Sequence, residues 1–495
     1  MKRRAFCRSA IGCGVAVSLR PAHALGRFAG LAGIQADIAA LASDGSEIAI
    51  EGSTVTELGG SLDGSLLLPG NENYESARLV WNGMIDKRPA LIARCASAGD
   101  VAHAVTFANE RNLLLSVKGG GHSFPGKSVC DGGMMIDLSM MNSVEVDADR
   151  QEVVVEGGAL LNQVDSATLS HDLVTTTGVV SHTGVGGFAL GGGMGRVDRK
   201  HGLAVDNLLW AEMVTADGKI RRVSREDYPD LFWAIRGGGG NFGVAVRFGF
   251  QAHPFNPTIY GGELIYPWSQ ASEVLRYYAE FSSSLPDAAN LEPASVVSPE
   301  GDRLLIVQLC YAGDHAEGER IIAPFKKAFL PQAEQLGPRS YMAMQTSADA
   351  VYAHHQLFYL KSGYFVEVTD AAVDAIVDSL AGDFLTEVWF QHLGGASSRI
   401  DEQATAFSNR KVHSNFGIMG TWTDAAESGQ RIARIREIYA AVQPHMKGFY
   451  TNLMDDTTQR TVRNYGVNHE RLVQTKNAYD PGNLFRLNAN VKPMV

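Results

Sequence analysis

The sequence predicts an α+β protein of two large domains, on three observations. Its 495 residues exceed what one core holds at about 100–200 residues per domain. From Pro89 to Gln251 short apolar strands alternate with helical stretches. Between about 258 and 440 longer strand-like runs alternate with helix-like ones, and aromatic and His residues become frequent. With 45% apolar and 20% charged residues, the chain can bury a sizeable core and is not a disordered one.

The elements follow in order. Lys2, Arg3, Arg4 and Arg8, an apolar run from Ser9 to Leu19, and Ala22-His23-Ala24 read as an export signal over residues 1–24. The run is too short to span a bilayer, and Arg3-Arg4-Ala5-Phe6 resembles a twin-arginine signal. Cleavage there removes five positive charges and takes the net charge from −11 to −16. Leu25 to Ala42 reads as weakly helical, and Glu47 to Asn71 as loop-rich. Ala90 to Cys95 is a predicted strand, and Ser97 is placed to cap a helix over Ala98–Arg111 whose Val101, Val105 and Ala108 share a face. Leu113–Val117, Met134–Leu138, Val153–Glu156 and Val244–Gln251 are further strands. In the second domain Leu304–Leu309 and Tyr364–Val368 read as strands and Ala371–Leu380 as a helix. A last helix over His469–Ala478 ends at Asp480-Pro481-Gly482.

Composition excludes several functions. An acidic chain without a basic run after residue 30 is unsuited to nucleic acid, and no later segment is apolar enough for stable membrane insertion. Cys95, Cys130 and Cys310 remain after the signal. They allow at most one disulfide and show no metal-binding spacing, so no metal is expected.

Glycine is the unusual feature: 53 residues, about one in nine against an average near 7%. Eight fall between Gly178 and Gly195, three form Gly119–Gly121 and four form Gly237–Gly240. Two apparent nucleotide motifs fail on context. Gly121 to Ser128 fits GxxxxGK[ST], but a Gly pair and a strand follow where a phosphate loop needs a helix. Gly184 to Ala189 fits GxGxx[GA], but the glycines from Gly191 would break the helix that a dinucleotide fold requires. Flexible backbone whose exposed N–H groups form anion-binding nests remains.

These residues carry a resemblance. Ser116-Val-Lys118-Gly119-Gly120-Gly121-His122-Ser123 and Ile136-Asp137-Leu138-Ser139 resemble the first flavin-binding elements of the berberine bridge enzyme-like FAD-linked oxidases, of the vanillyl-alcohol-oxidase (PCMH-type) superfamily. Gly184–Gly195, Gly202-Leu203-Ala204-Val205-Asp206-Asn207, Val214 to Gly218, Asp230 to Gly239 and Gly240-Asn241-Phe242-Gly243-Val244 continue in family order. Asn468 to Asn490 resembles the family's closing segment. The resemblance implies a two-domain PCMH-type FAD-binding fold. An FAD domain over 75–255 is completed by 441–495, and a substrate domain of antiparallel sheet and helices is inserted over 256–440.

It also implies FAD as cofactor. His122 matches the histidine that bonds the flavin 8α-methyl. Val180 stands where many members carry a second, cysteine link, so a single covalent bond is expected. The implied cofactor-binding positions are Lys118, Gly119, Gly120, Gly121, His122, Ser123, Gly178, Thr183, Gly184, Gly187, Gly191, Gly192, Gly195, Leu203, Val246, Asn488 and Asn490. Thr183, nearly isosteric with Val at a position the family links to oxygen access, favours an oxidase that passes hydride from a C–OH or C–N carbon of a small-molecule substrate to FAD and then to O2, giving H2O2. A dehydrogenase with another acceptor and an exported flavin-containing binding protein without turnover stay open. Tyr450 in Tyr450-Thr-Asn452-Leu-Met-Asp455 matches a family segment whose tyrosine assists proton removal, and is the first choice of base. His413 and Asn415 lie near the position of the family's substrate-facing Glu or Gln, and Tyr352, His354, His355 and Tyr359 form a polar aromatic cluster suited to lining a pocket.

Overall fold

A computed structural model describes residues 36–454 and 458–494. The predicted signal over 1–24 and most of the weakly helical stretch lie outside the described residues.

The first domain is built on two sheets. In a four-stranded sheet, Leu91–Arg94 and Leu115–Lys118 flank Met134–Asp137 in parallel, and Ser65–Leu67 pairs antiparallel outside Leu91–Arg94. The helix Ala98–Glu110 supplies the crossover, with the Ser97 side chain accepting from the Asp100 amide as its cap. Val101, Val105 and Ala108 are buried in this core, as the helical period predicts. A five-stranded antiparallel sheet runs in the order Ile220–Ser224, Leu208–Val214, Val244–Gln251, Glu152–Glu156, Val144–Asp147. Residues before 75 belong here too. Ile38–Leu41 is a strand rather than a helix, and the expected loop after Glu47 contains a strand, the helix Gly52–Ser61 and Ser65–Leu67. Ala40, Ile50, Val55 and Leu58 share a core with Leu91 and Ile136, so this domain begins well before 75.

The second domain is an eight-stranded sheet backed by helices. Seven strands run in the order Ala333–Glu334, Thr258–Pro267, Arg303–Tyr311, Ala289–Val297, Thr386–His392, Ser414–Trp422, Leu357–Phe365, and Gly337–Ser340 pairs with Thr258–Pro267. Every neighbouring pair is antiparallel. One face packs on Ala271–Ser283, Asp370–Ser379 and Ser428–Val442 through Tyr278, Ile376, Phe390 and Ile438. The third of these helices places the domain's end beyond 440. The predicted strand at Tyr364–Val368 ends at Phe365, because Val366 and Glu367 turn into the Thr369-capped helix.

Thr405 to Arg410 is loop, and its backbone bonds to the first domain, Phe407 N to Arg236 O at 3.0 Å. Arg410 is buried in a bidentate pair with Asp206 at 2.7 and 2.8 Å. The Gly184 motif does open a helix, Val185–Leu190, but Gly191 ends it after six residues. No helix follows Gly126-Lys127-Ser128. Cys95, Cys130 and Cys310 are buried free thiols, and no helix among the described residues is long and apolar enough to cross a membrane.

Candidate active site between the two domains

A cavity of about 690 Å³ lies between the first domain and the open face of the eight-stranded sheet. The loop after strand Leu115–Lys118 contributes Gly119, Gly120, Gly121, His122 and Ser123 to its wall. The segment before helix Val185–Leu190 contributes Gly178, Thr183 and Gly184, the helix itself Gly187, the third glycine cluster Gly238–Gly240, and the closing segment Asn488. The first two loops cross at Gly120 and Gly184. A Cβ on Gly184 would come 2.2 Å from the Gly120 nitrogen, and one on Gly120 would come 2.5 Å from the Gly184 Cα. Only two glycines permit that approach.

Gly187 and Gly240 behave differently. Neither has positive φ, and a Cβ there would meet no protein atom within 4 Å. Neither packing nor backbone conformation requires glycine at these two positions, so the wall leaves room for another occupant. A buried, unpartnered His122 Nε2 opens on the same cavity. Glycine backbone for a pyrophosphate, open space and a free imidazole nitrogen together fit FAD.

His122 is held by rings. It stacks on Trp81 at 4.1 Å between centroids, and Trp81 stacks on Phe358 of the sheet at 3.9 Å. Asn82 clips the same junction, donating to the Phe124 carbonyl at 2.8 Å and accepting from the Phe358 amide at 3.2 Å. Burial, with His182 and His354 nearby, pushes the His122 imidazole down to about 3. It is therefore neutral at physiological pH, with a lone pair free on one nitrogen.

Tyr450 stands on the cavity wall, and its phenolic oxygen accepts from the Gly193 amide at 2.9 Å and from Asn452 Nδ2 at 2.8 Å. Asn452 also donates to the Phe188 carbonyl at 2.9 Å. Burial pushes the Tyr450 hydroxyl up to about 12, against the pull of these two donors. Asp455 of the same motif lies outside the described residues.

Several predicted site residues are placed elsewhere. Gly191 is off the cavity wall; a Cβ there would come 1.9 Å from Asn452 Oδ1, so its bareness seats Asn452. Gly195 is packed against the Thr177 carbonyl, and Gly192, at φ +133°, against Phe407. Leu203 packs in a core with Tyr450 and Val412, and Val246 in the core of the first domain. Lys118 turns away to the Ala77 carbonyl and to Asp137, and Asn490 is also off the wall. His413 lies on the helix-covered side of the sheet, bonded to Ser282 Oγ at 2.8 Å and ringed by Tyr278 and His392. It cannot reach the cavity. Asn415 is fully buried and touches the cavity only through Gln391, to whose Oε1 it donates at 2.7 Å. Of the polar aromatic cluster only Tyr352 lines the wall; Tyr359 faces Arg436.

Sequence reasoning missed the sheet's contribution: Glu263, Glu292, Gln308, Trp389 and Gln391, with Arg196 facing them from the first domain. Period-2 alternation along each strand is the signal that marks which residues face one way. Among the described residues no cluster of His, Cys, Asp or Glu is placed to hold a metal ion.

Known proteins resemble this chain over most of its length. A family model for the FAD binding domain matches residues 89–224, and one described as berberine and berberine like matches 449–492. An FAD-linked oxidoreductase of Dictyostelium discoideum is 31% identical over 449 residues, 89% of this chain and 97% of that protein. The (R)-6-hydroxynicotine oxidase of Paenarthrobacter nicotinovorans is 29% identical, over 88% of this chain and 97% of its own. The solved structure of a chitooligosaccharide oxidase superposes with a TM-score of 0.81 at 25% identity, covering 90% of this chain and 99% of the other.

Proposed function

Because the chain belongs to the FAD-linked oxidoreductases of the berberine bridge enzyme-like family, we propose that it is an oxidase of a C–OH or C–N carbon, with FAD held by one covalent bond to His122. FAD, when bound, supplies the two-electron acceptor. The chain's own residues supply the rest. The glycine loops crossing at Gly120 and Gly184 bring bare backbone to the cavity wall without side chains in the way. Trp81 fixes the His122 ring, and burial keeps it neutral, the state a nucleophilic nitrogen requires. Val180 stands on the wall where a second link would need a thiol.

Tyr450 is the proposed base. As hydride leaves the substrate carbon, the heteroatom's proton passes to the phenolic oxygen, whose negative charge the Gly193 amide and Asn452 are aimed to hold. The electron pair ends on O2, which takes up two protons to give H2O2, and Thr183 on the wall favours oxygen access. We further propose that residues 1–24 direct export as a twin-arginine-like signal.

One observation carries this reading: His122 and Tyr450, far apart in sequence, open on the same glycine-walled cavity. The purified protein should be yellow, and its flavin fluorescence should stay with the band on a denaturing gel; His122→Ala should keep the fold and release all its flavin. Substrate turnover in air should produce one H2O2 per substrate oxidised. Flavin lost from the wild-type band would overturn the covalent link, and turnover without peroxide would point to a different acceptor.

A further inference from the structure

Behind the cavity wall stands a chain of imidazoles that the proposed oxidation does not use. His122 lies beside His182, with ring centroids 5.0 Å apart, and His182 lies beside His354 at 4.6 Å. The His122 Nε2 and both nitrogens of His182 are buried without a hydrogen-bond partner, whereas His354 is exposed. The chain therefore leads from the flavin-linking residue to solvent. A strap of the second domain, residues 349–356, fixes this arrangement. Ser181 donates to the Asp349 carboxylate through its amide at 2.9 Å and its hydroxyl at 2.6 Å. The Trp81 indole donates to the Tyr352 carbonyl at 2.6 Å, and the His355 amide to the Trp81 carbonyl at 2.8 Å. The strap thus holds both the residue before His182 and the ring that stacks on His122. Neither His182 nor His354 lines the cavity, so contact with substrate does not account for them. Packing alone would be met by an apolar ring, without burying two unanswered nitrogens.

We propose that His182 is the base that takes the proton His122 gives up when it bonds to the flavin, and that His354 passes this proton to solvent. This rests on the reading of His122 as the covalent attachment point. Attachment breaks one C–H bond of the flavin methyl and one N–H bond of the imidazole, and makes one C–N bond. The electron pair goes to the flavin ring and from there to O2, which leaves with two protons as H2O2. An imidazole that bonds through one nitrogen and keeps the proton on the other becomes a cation in a buried site, so a neighbouring base is needed. Burial holds the His182 imidazole below its usual range, leaving it neutral and able to accept, while the Asp349 carboxylate and the backbone of Asp349 and Tyr352 favour the ring once protonated. Two imidazoles that share an N–H···N bond stand about 5 Å apart between centroids, so turning the rings in place brings the nitrogens together.

The test uses the full chain purified without flavin, given FAD in air, and follows the flavin retained on a denaturing gel against time. Wild type should become fluorescent and release one H2O2 per bond formed. His182→Gln should bind FAD in equal amount before denaturation, yet form the bond about 10²-fold more slowly. His354→Gln should slow it by less. Free imidazole should restore much of the rate to His182→Ala and none to His122→Ala. Wild-type protein that binds FAD and never retains it would overturn the His122 link itself. A wild-type bond that His182→Gln forms equally fast would keep the link and overturn the base. Both His182 variants failing to bind FAD, or bonding slowly with or without imidazole, would make His182 a packing residue and overturn the proposal. His354→Gln at the wild-type rate would overturn the route to solvent.

Discussion

On the first-domain side the cavity wall is largely backbone: Gly119–Gly121, Gly184, Gly187 and Gly238–Gly240, with few side chains among them. On the sheet side it is side chains, alternating along strands that share one register. The two constructions tolerate change differently. Where backbones touch, as at Gly120 and Gly184, any added atom forces the loops apart. Where alternate side chains project from a paired strand, one can be exchanged without disturbing the ladder behind it. A backbone wall suits a fixed cofactor, and a side-chain wall suits a substrate that differs between relatives. The oxidases of 6-hydroxynicotine and of chitooligosaccharides both resemble this chain across nine-tenths or more of their own lengths.

The largest test of the contrast is Gly184→Val. With the Gly120 nitrogen 2.2 Å from a Cβ there, the crossing cannot close, and purified protein should carry no flavin by absorbance. Normal flavin content would break the distinction between the walls.

Tyr450→Phe probes the residue between them. It removes the proton acceptor but little volume, so flavin content should hold while kcat falls about 10²–10⁴-fold. The pH dependence has a definite sign. Burial raises the Tyr450 phenol to about 12, so the ionised form is scarce at neutral pH and kcat/KM should climb as pH rises. A plateau reached already near pH 7 would name a different base. Asn452→Ala deletes one donor to the phenolic oxygen. The phenolate then loses about 1.4 kcal/mol of support, the climb moves to higher pH, and kcat/KM at fixed pH drops about tenfold.

The smallest effect sharpens the comparison most. Gly187→Ala adds a methyl inside a helix where no protein atom lies within 4 Å. Flavin-free chain should gain up to about 1 kcal/mol in thermal unfolding, while flavin content falls. Unchanged loading would show that the space at Gly187 serves no cofactor.

The same contrast governs what was legible in the sequence. Backbone walls leave local signals, because glycines that touch one ligand sit in short runs, and Gly119–Gly121 with His122 are adjacent residues. The strand and helix from Leu91 to Glu110 were legible for the same reason, being set by period and by a Ser97 cap. Glu263, Glu292, Gln308 and Gln391 span 129 residues and share nothing in sequence; only strand pairing makes them neighbours. Glycine also misled where its cause was packing. Gly191 and Gly195 belong to the same cluster as Gly184, yet their bareness admits Asn452 and the Thr177 carbonyl rather than a ligand. His413 was misplaced because the strand Ser414–Trp422 begins just after it: continued alternation would put it on the face of Asn415, two residues on, yet it turns to the opposite, helix-covered side.

The closing segment has a consequence for biosynthesis. Lys476, fully buried with Asp480 at 2.6 Å, holds the Asn241 and Phe485 carbonyls at 2.7 and 3.0 Å. Asn241 in turn donates to Ala489 and accepts from Val491. The loop that carries Gly238–Gly240 is thus pinned by residues made some 250 positions later, with the whole second domain translated in between. A ribosome still holding the last few dozen residues displays a first domain whose cofactor wall is open. Cofactor capture is therefore a post-translational event, slowed by contacts of very long sequence separation, and nascent chains stalled before residue 476 should emerge colourless.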